Sequence, residues 1–298
     1  MNESTLGLSI SDRGVQAVEV TRDGASPTLL AIDEWDNTLS AGEKAPDAGG
    51  VERFTEYLAV FQKVNRVKAR DVSVALDTSY LFLNHLPIDD DASDLKIREQ
   101  IKWELSMFFP DAGTADFISD FHRLKHFPDL QKSQILGVSV RRRAAQAIGK
   151  VLDDLGLSLN ILDAGHFSAE NALRINYPDS FRRTLALVGV KENRLDISLL
   201  KNGTLEAYSY RVVHSNQEIV DEIGRLSRET EGIFSITAYG PYLDKDLLLQ
   251  IRRGSALLVE ALNPLRHVSV SDTLRLADHL TVPSYRFASA VGVALRRD

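Results

Sequence analysis

Residues 185–213 read LALVGVKENRLDISLLKNGTLEAYSYRVV, and this segment carries the clearest fold signal in the chain. Three apolar segments lie within it, at Leu185–Val190, Leu195–Leu200 and Thr204–Val213. A polar bend separates the first two segments, and the pair Asn202-Gly203 separates the last two. Asn-Gly supplies the positive φ angles that a tight hairpin requires, so the pattern predicts three antiparallel strands.

The same pattern occurs near the amino terminus, over residues 6–35. Leu6 to Val20 holds two apolar segments around the bend Ser11-Asp12-Arg13-Gly14, and the turn Arg22-Asp23-Gly24 leads into a third, Thr28 to Trp35. A helical pattern follows each copy, and the copies begin about 180 residues apart. A duplicated unit of this kind predicts two α/β lobes with mixed sheets and a cleft between them.

The segment between the two copies predicts an inserted α+β subdomain. Its clearest element is a helix that Ser93 can cap and that ends before Pro110. We predict a first lobe of residues 1–70 and 160–183, an inserted subdomain of residues 71–159, and a second lobe of residues 184–298.

Composition excludes several classes of protein. The 298 residues carry 35 Lys and Arg against 42 Asp and Glu, and the net charge of -7 argues against non-specific binding of nucleic acid. The chain has no cysteine, which excludes disulfides, thiolate-bound zinc and cysteine nucleophiles. The longest stretch without a charged residue is Gly232–Leu243, far short of the roughly 20 residues of a spanning helix. The amino terminus lacks the pattern of a signal peptide.

The common catalytic and metal-binding motifs are missing. Neither GxxxxGK[ST] nor GxGxxG occurs, and the hydrolase pattern GxSxG is absent as well. His122 and His126 lie four residues apart in a predicted strand, which separates them by roughly 13 Å, too far to share one ion. We therefore expect no metal site.

An aromatic cluster on the helix of the inserted subdomain is the candidate for partner binding. Ile97, Ile101, Leu105 and Phe108 form one apolar stripe, and Trp103 falls off it by about half a turn, near the polar face. Exposed aromatic side chains favour interfaces, so we expect Trp103, Phe108 and Phe109 to contact a partner. Packing of all three in the core is the alternative.

Several strings, in their order along nearly the whole chain, resemble the actin-like ATPase superfamily, and most closely the PilM proteins of type IV pilus assembly in its FtsA/PilM branch. The strings are Leu6–Ser11 with Val15–Glu19, Ile101–Pro110, Leu187–Leu200 with Asn202-Gly203, Leu262–Pro264, and Pro283–Leu295. The resemblance implies a two-lobe, ribonuclease H-like fold that binds ATP between its lobes.

The residues that the resemblance assigns to the nucleotide depart from the family pattern. Ser9, Ser11 and Gln16 stand where the first hairpin usually has Asp, Gly and Lys. Gly189 and Lys191 stand at the second hairpin, and Gly240 is followed by a proline at the adenosine turn. Glycine lets a phosphate approach the backbone, and Asp holds the magnesium shell or a water. We therefore expect no bound cofactor and no ATP hydrolysis.

The resemblance also implies a lid over the adenine, inserted in the second lobe. Here one predicted helix, about Gln217 to Glu231, separates Val213 from the strand Ile233–Ala238, so the lid is expected to be missing.

With these losses, the resemblance implies a non-catalytic scaffold in the cytoplasm, at the inner face of the bacterial inner membrane. It would dock a short cytoplasmic tail of an inner-membrane protein beside the inserted subdomain, in a type IV pilus or type II secretion assembly. One alternative is an ATP-binding or ATP-hydrolysing protein in which Lys191 or Arg194 contacts phosphate in place of the metal charge. A self-assembling filament protein is another, and the oligomeric state stays open.

Overall fold

The computed structural model describes residues 3–23, 26–36, 48–127, 132–275 and 282–297. The strands are β1 (Glu3–Ile10), β2 (Val15–Asp23), β3 (Ser26–Trp35), β4 (Asp71–Leu76), β5 (Phe82–Asp89), β6 (Phe117–Phe127), β7 (Lys132–Arg141), β8 (Ser158–Ala164), β9 (Leu185–Val190), β10 (Arg194–Lys201), β11 (Thr204–Val212), β12 (Ser235–Tyr239), β13 (Leu258–Ala261) and β14 (Ser269–Val270). The helices are α1 (Ala48–Asn65), α2 (Asp94–Phe108), α3 (Arg142–Asp154), α4 (Gly165–Asn176), α5 (Asn216–Glu229), α6 (Lys245–Gly254), α7 (Asp272–Arg275) and α8 (Ala288–Ala294).

Two sheets repeat one topology, as the sequence predicts. In the first sheet the order is β14-β3-β2-β1-β4-β8, and in the second it is β11-β10-β9-β12-β13. Each begins with an antiparallel three-stranded meander, and the fourth strand joins parallel to the first. The predicted Asn202-Gly203 turn is confirmed by its φ angles of 49° and 76°. Gly24, in the corresponding predicted turn of the first copy, lies outside the described residues.

The inserted subdomain is a three-stranded antiparallel sheet, β5-β7-β6, covered by α2. Three residues of the predicted apolar stripe of α2, Ile97, Ile101 and Leu105, are buried against the sheet, but the fourth, Phe108, is exposed because it lies in the last turn of the helix. Ser93 caps the helix, because its hydroxyl accepts a hydrogen bond from the Lys96 N–H. The buried residues fix which face of α2 is left for solvent.

The predicted domain boundaries differ from the observed sheets at β4 and at the pair β14 and α8. β4 begins at residue 71, where the insertion was predicted to begin, yet it pairs in parallel with β1 in the first sheet. β14 and α8 belong to the predicted second lobe, yet β14 pairs with β3 and α8 packs on the first sheet. Parallel pairing and helix docking join distant parts of the chain, so local sequence patterns do not reveal them.

α8 lies between β1 and α4 at very close range. A Cβ on Gly7 of β1 would lie 2.3 Å from the Ala290 carbonyl oxygen, and a Cβ on Gly292 would lie 1.7 Å from that of Ser168 in α4. Both positions therefore require glycine because backbones occupy the space. This contact joins the carboxy-terminal helix to the first sheet.

One helix, α5, lies between β11 and β12, as predicted, and the described chain leaves no further element there for a lid. No helix in the described ranges has the length and apolar character needed to cross a bilayer.

Candidate functional site

The six positions that the resemblance assigns to the nucleotide come together between the two sheets. Ser9, Ser11, Gln16, Gly189, Lys191 and Gly240 all line one pocket. β1 and β2 bring the first three residues there, and the ends of β9 and β12 bring the others. The duplicated topology thus juxtaposes residues that lie more than 150 positions apart in the sequence.

The pocket is small. Its volume is about 20 Å³, room for about one water molecule and far too little for a nucleotide. The Tyr239 hydroxyl lies 2.8 Å from where a Gly189 Cβ would be, and the Gly240 backbone packs against the carbonyl of Val190. The residues present therefore do not fit Mg-ATP in this conformation.

Lys191 is held by partners from both lobes. Its Nζ lies 2.8 Å from Asp77 Oδ1 and donates to Thr78 Oγ1 at 2.5 Å. It also lies 2.5 Å from Asp196 Oδ2. Asp77 and Thr78 follow β4 directly, so this ammonium joins the first sheet to the second.

Asp196 is the centre of the network, and none of it is exposed. Besides Lys191, its carboxylate accepts from Thr78 Oγ1 at 2.6 Å, from Tyr208 Oη at 2.6 Å and from Arg194 Nε at 2.9 Å. Burial opposes ionisation, but the surrounding cations, Lys191 foremost, outweigh it and lower the pKa of Asp196 well below its usual range. In the described conformation both Lys191 and Arg194, the proposed phosphate ligands of the ATPase alternative, are already bound to carboxylate.

His166 fills the remaining space and is completely buried. Its Nδ1 lies 2.9 Å from Tyr239 Oη, and its Nε2 lies 2.9 Å from Ser198 Oγ. Burial lowers the pKa of His166 to about 4, so the ring is neutral at pH 7. The ring fixes two side chains of the second lobe to the start of α4.

Sequence reasoning missed Asp77, Asp196 and His166. Asp77 follows a buried strand at its carboxyl end, where functional side chains of α/β sheets often lie, and this position was the available signal. Asp196 alternates with apolar neighbours in β10, but nothing local shows that its side chain points at Lys191.

A second, larger cavity of about 1080 Å³ lies beside the inserted subdomain. Residues 159–164 of β8 and 118–122 of β6 line it without interruption. Successive side chains of a strand point to opposite faces, so an unbroken run means that the cavity meets the edge of each strand. Each of these strands is the last of its sheet in the strand order of the described chain. The cavity is therefore a cleft between two open sheet edges.

The buried end of this cleft carries an ion pair on α4. Glu170 Oε1 accepts from Arg174 Nη2 at 2.8 Å, while Glu170 Oε2 is buried and has no hydrogen-bond partner among the described residues. Burial raises the pKa of Glu170 to about 7, and Arg174 opposes this shift.

The predicted aromatic residues lie elsewhere. Trp103 and Phe108 are 56 % and 57 % exposed on α2, whereas Phe109 is half-buried against Phe117 and the Arg141 guanidinium. None of the three lines the cleft. Their role in partner binding stays a prediction. The described residues also contain no cluster of His, Asp and Glu that could hold a metal ion.

No family model matches the sequence, and no curated protein matches it either. Solved structures do match the fold. The structure titled "PilM-PilN type IV pilus biogenesis complex" is similar with a TM-score of 0.78 and 18% identity, over 98% of this chain and 97% of that one. A Bacteroides thetaiotaomicron protein described as having an actin-like ATPase fold and unknown function is similar with a TM-score of 0.54 and 11% identity, over 88% and 91%. The cytoplasmic domain of EpsL from the type II secretion system of Vibrio cholerae is similar with a TM-score of 0.49 and 12% identity, over 95% of this chain and 100% of that one.

The chain thus has the actin-like ATPase fold, a duplicated two-lobe α/β architecture with an α+β insertion in the first lobe.

Proposed function

We propose that this protein is a non-catalytic scaffold of an inner-membrane assembly of the type IV pilus kind. It holds a short cytoplasmic tail of a membrane protein in the cleft between β8 and β6. The observation that carries the proposal is the contrast between the two sites: the interlobe pocket is filled by the chain's own side chains, and the cleft is open. The fold likeness to a protein of a PilM-PilN complex supports the choice of machine and of partner.

The edges of the cleft favour an extended peptide as the occupant. A peptide can add to an exposed sheet edge as a further strand, with its main chain giving affinity and its alternate side chains giving specificity. Leu159, Ile161 and Leu162 on β8 and Ile118 on β6 offer apolar contacts for those side chains. An edge strand without a partner is otherwise prone to unwanted pairing, so a bound tail would also cover it.

The small interlobe pocket supports the non-catalytic part of the proposal. Mg-ATP needs free cations and glycines that let phosphates approach the backbone. Here Lys191 and Arg194 are bound to Asp196, and the Tyr239 hydroxyl fills the space beside Gly189.

We expect no rise in melting temperature with millimolar ATP, with or without magnesium. A ligand that bound only the native state, at about 100 times its dissociation constant, would add about 2.7 kcal/mol of stability. Thermal-shift titration measures this directly. A clear, saturable rise would contradict the proposal and restore the ATPase alternative.

We expect Ile161→Arg to weaken tail binding by roughly 30-fold, equivalent to about 2 kcal/mol, because a bulky cation would then project into the apolar edge. The probe is an array of synthetic peptides that cover the cytoplasmic tails of the source organism's single-span inner-membrane proteins. Affinities of the bound peptides are then measured by fluorescence anisotropy.

Two variants control this experiment. Leu258→Arg makes the same kind of change on β13, at a residue 60% exposed and away from the cleft, and should leave binding unchanged. Trp103→Ala tests the aromatic residues of α2. Loss of binding in Trp103→Ala with retention in Ile161→Arg would move the docking site to α2, and no bound tail for the wild type would overturn the docking proposal.

A further inference from the structure

The cleft contains one acceptor that the described chain leaves unused. Glu170 is 7 % exposed and lines the cleft, and its Oε2 has no hydrogen-bond partner among the described residues. A buried polar atom without a partner costs roughly 1–3 kcal/mol, so such atoms call for an explanation. A ligand that donates to Oε2 would remove this cost.

Asp163, a neighbouring carboxylate in the same cleft, differs from Glu170 in its hydrogen bonding. Its Oδ1 accepts from the Ala164 N–H at 2.8 Å, and its Oδ2 accepts from Ser168 Oγ at 2.7 Å and pairs with Arg296. Both oxygens of Asp163 are therefore used within the fold. Glu170, by contrast, has a hydrogen-bond partner for Oε1 but none among the described residues for Oε2.

We propose that Glu170 is the specificity-determining residue of the cleft, and that its Oε2 accepts a hydrogen bond from an uncharged donor of the bound segment. The donor is a backbone N–H or a side-chain amide or hydroxyl. This inference rests on the proposed docking of a tail in the cleft, and it names the chemistry that the tail must present beside its apolar side chains.

The charges around the cleft favour an uncharged donor over a cation. Four arginines line the cleft against three carboxylates, and Arg174 already pairs with Glu170. An ammonium at Oε2 would meet the Arg174 guanidinium at close range and be repelled by it. A neutral donor satisfies Oε2 without this repulsion.

Binding is then coupled to the ionisation of Glu170. Burial raises the pKa of Glu170 to about 7, so a large fraction of the free protein carries a protonated carboxyl near neutral pH. The donor prefers the ionised form, so affinity rises with pH. If only the ionised form binds, affinity increases about tenfold between pH 6 and pH 8, in proportion to the fraction of competent protein.

The other charged groups that face Glu170 do not produce this profile. Arg174 on α4, Arg296 after α8 and Asp163 on β8 are common to the wild type and Glu170→Gln, so a profile that is flat only in Glu170→Gln comes from Glu170. His122 on β6 faces Arg174, and burial lowers its pKa, so it is already largely neutral at pH 7. A His122→Gln variant separates its contribution from that of Glu170.

The experiment measures the affinity of the tightest tail peptide from the array for the full chain, by anisotropy at pH 6, 7 and 8. We expect about a tenfold rise for the wild type and for His122→Gln, and a flat profile for Glu170→Gln, which keeps the shape but cannot ionise. Carbon-13 NMR of the Glu170 carboxyl should show its pKa fall when the peptide binds. A peptide variant without its donor should bind the wild type with a flat profile.

The outcomes distinguish this inference from the proposed function. If the wild type binds a tail but Glu170→Gln keeps the same affinity and pH profile, the role of Glu170 is overturned while docking stands. The role of Glu170 would also be overturned if the affinity of His122→Gln did not change with pH while that of Glu170→Gln did. If no tail binds the wild type, the docking itself fails and the inference falls with it.

Discussion

Asp196→Asn is expected to lower the free energy of unfolding by about 3–5 kcal/mol, the cost of breaking a buried ion pair from one side. The substitution keeps the shape of the side chain but removes the charge that Lys191 and Arg194 share. It also turns a donor amide toward groups that themselves donate, so at least one of their hydrogen bonds is lost. Urea unfolding at pH 7 measures the difference.

The difference in unfolding free energy between the wild type and Asp196→Asn should depend on pH, and this dependence identifies the Asp196 charge as its cause. The pKa of Asp196 is lowered in the folded protein, so its charge stabilises the fold above the pKa of the unfolded chain and this contribution is lost as the pH falls. The gap between wild type and Asp196→Asn should stay constant from pH 5 to pH 8 and narrow below about pH 4.

Asp179→Asn is the matched control for Asp196→Asn. Asp179 pairs with Arg182 at 3.5 Å, but both side chains are more than 80% exposed. Exposed pairs contribute little, so we expect a change of less than about 1 kcal/mol. Equal effects of the two variants would show that the interlobe network adds no more than a surface pair.

Gly292→Ala is expected to cost about 4 kcal/mol or more, and to leave little folded protein if the fold has an ordinary margin of stability. The new Cβ would lie 1.7 Å from the Ser168 carbonyl oxygen, and backbone rather than a flexible side chain occupies that space. Helices α4 and α8 would have to separate, which also breaks the 2.8 Å hydrogen bond from Asn171 Nδ2 to the Gly292 oxygen. Circular dichroism and thermal unfolding measure the loss.

Gly149→Ala provides the control on a helix. Gly149 lies in α3, and a Cβ there would meet no atom within 4 Å. Alanine is the better helix former, so this variant should gain roughly 0.5–1 kcal/mol. A similar loss in both variants would mean that the close contact of α8 with α4 does not limit stability.

The sequence predicted which strands and turns meet in the interlobe cleft, but it did not predict the side chains that fill the cleft. The repeated hairpins and the order of the strings that resemble the family predicted that Ser9, Gln16, Gly189 and Lys191 lie at one cleft. In the structure all four line one pocket. The same reasoning expected few charges to neutralise Mg-ATP there, but it did not find Asp77 or the buried Asp196. Asp77 faces Lys191 only because β4 pairs with β1 and the two lobes close on each other, whereas Asp196 reaches Lys191 across the β9-β10 hairpin.

The cleft between β8 and β6 could be predicted only in its general place, and docking there stays a proposal. A groove beside the inserted subdomain was expected, with Trp103, Phe108 and Phe109 as its residues. The structure places an open cleft beside that subdomain, but β8, β6 and α4 line it. An unpaired strand edge has no local sequence signature, because the same alternating pattern serves a strand with one neighbour or with two.

Local structure follows from the sequence alone: the hairpin turns, the Ser93 cap and most of the apolar stripe of α2, the single helix between β11 and β12, and the duplicated α/β plan. These features depend on residues within a few positions of one another, where turn chemistry and hydrophobic periodicity act. Three other features are visible only in the folded molecule: Lys191 is bound to Asp77 of the other lobe, Gly292 admits no side chain, and Glu170 Oε2 has no hydrogen-bond partner among the described residues. Burial and pairing at these positions depend on contacts between distant segments, and those contacts set both the space and the local electrostatics.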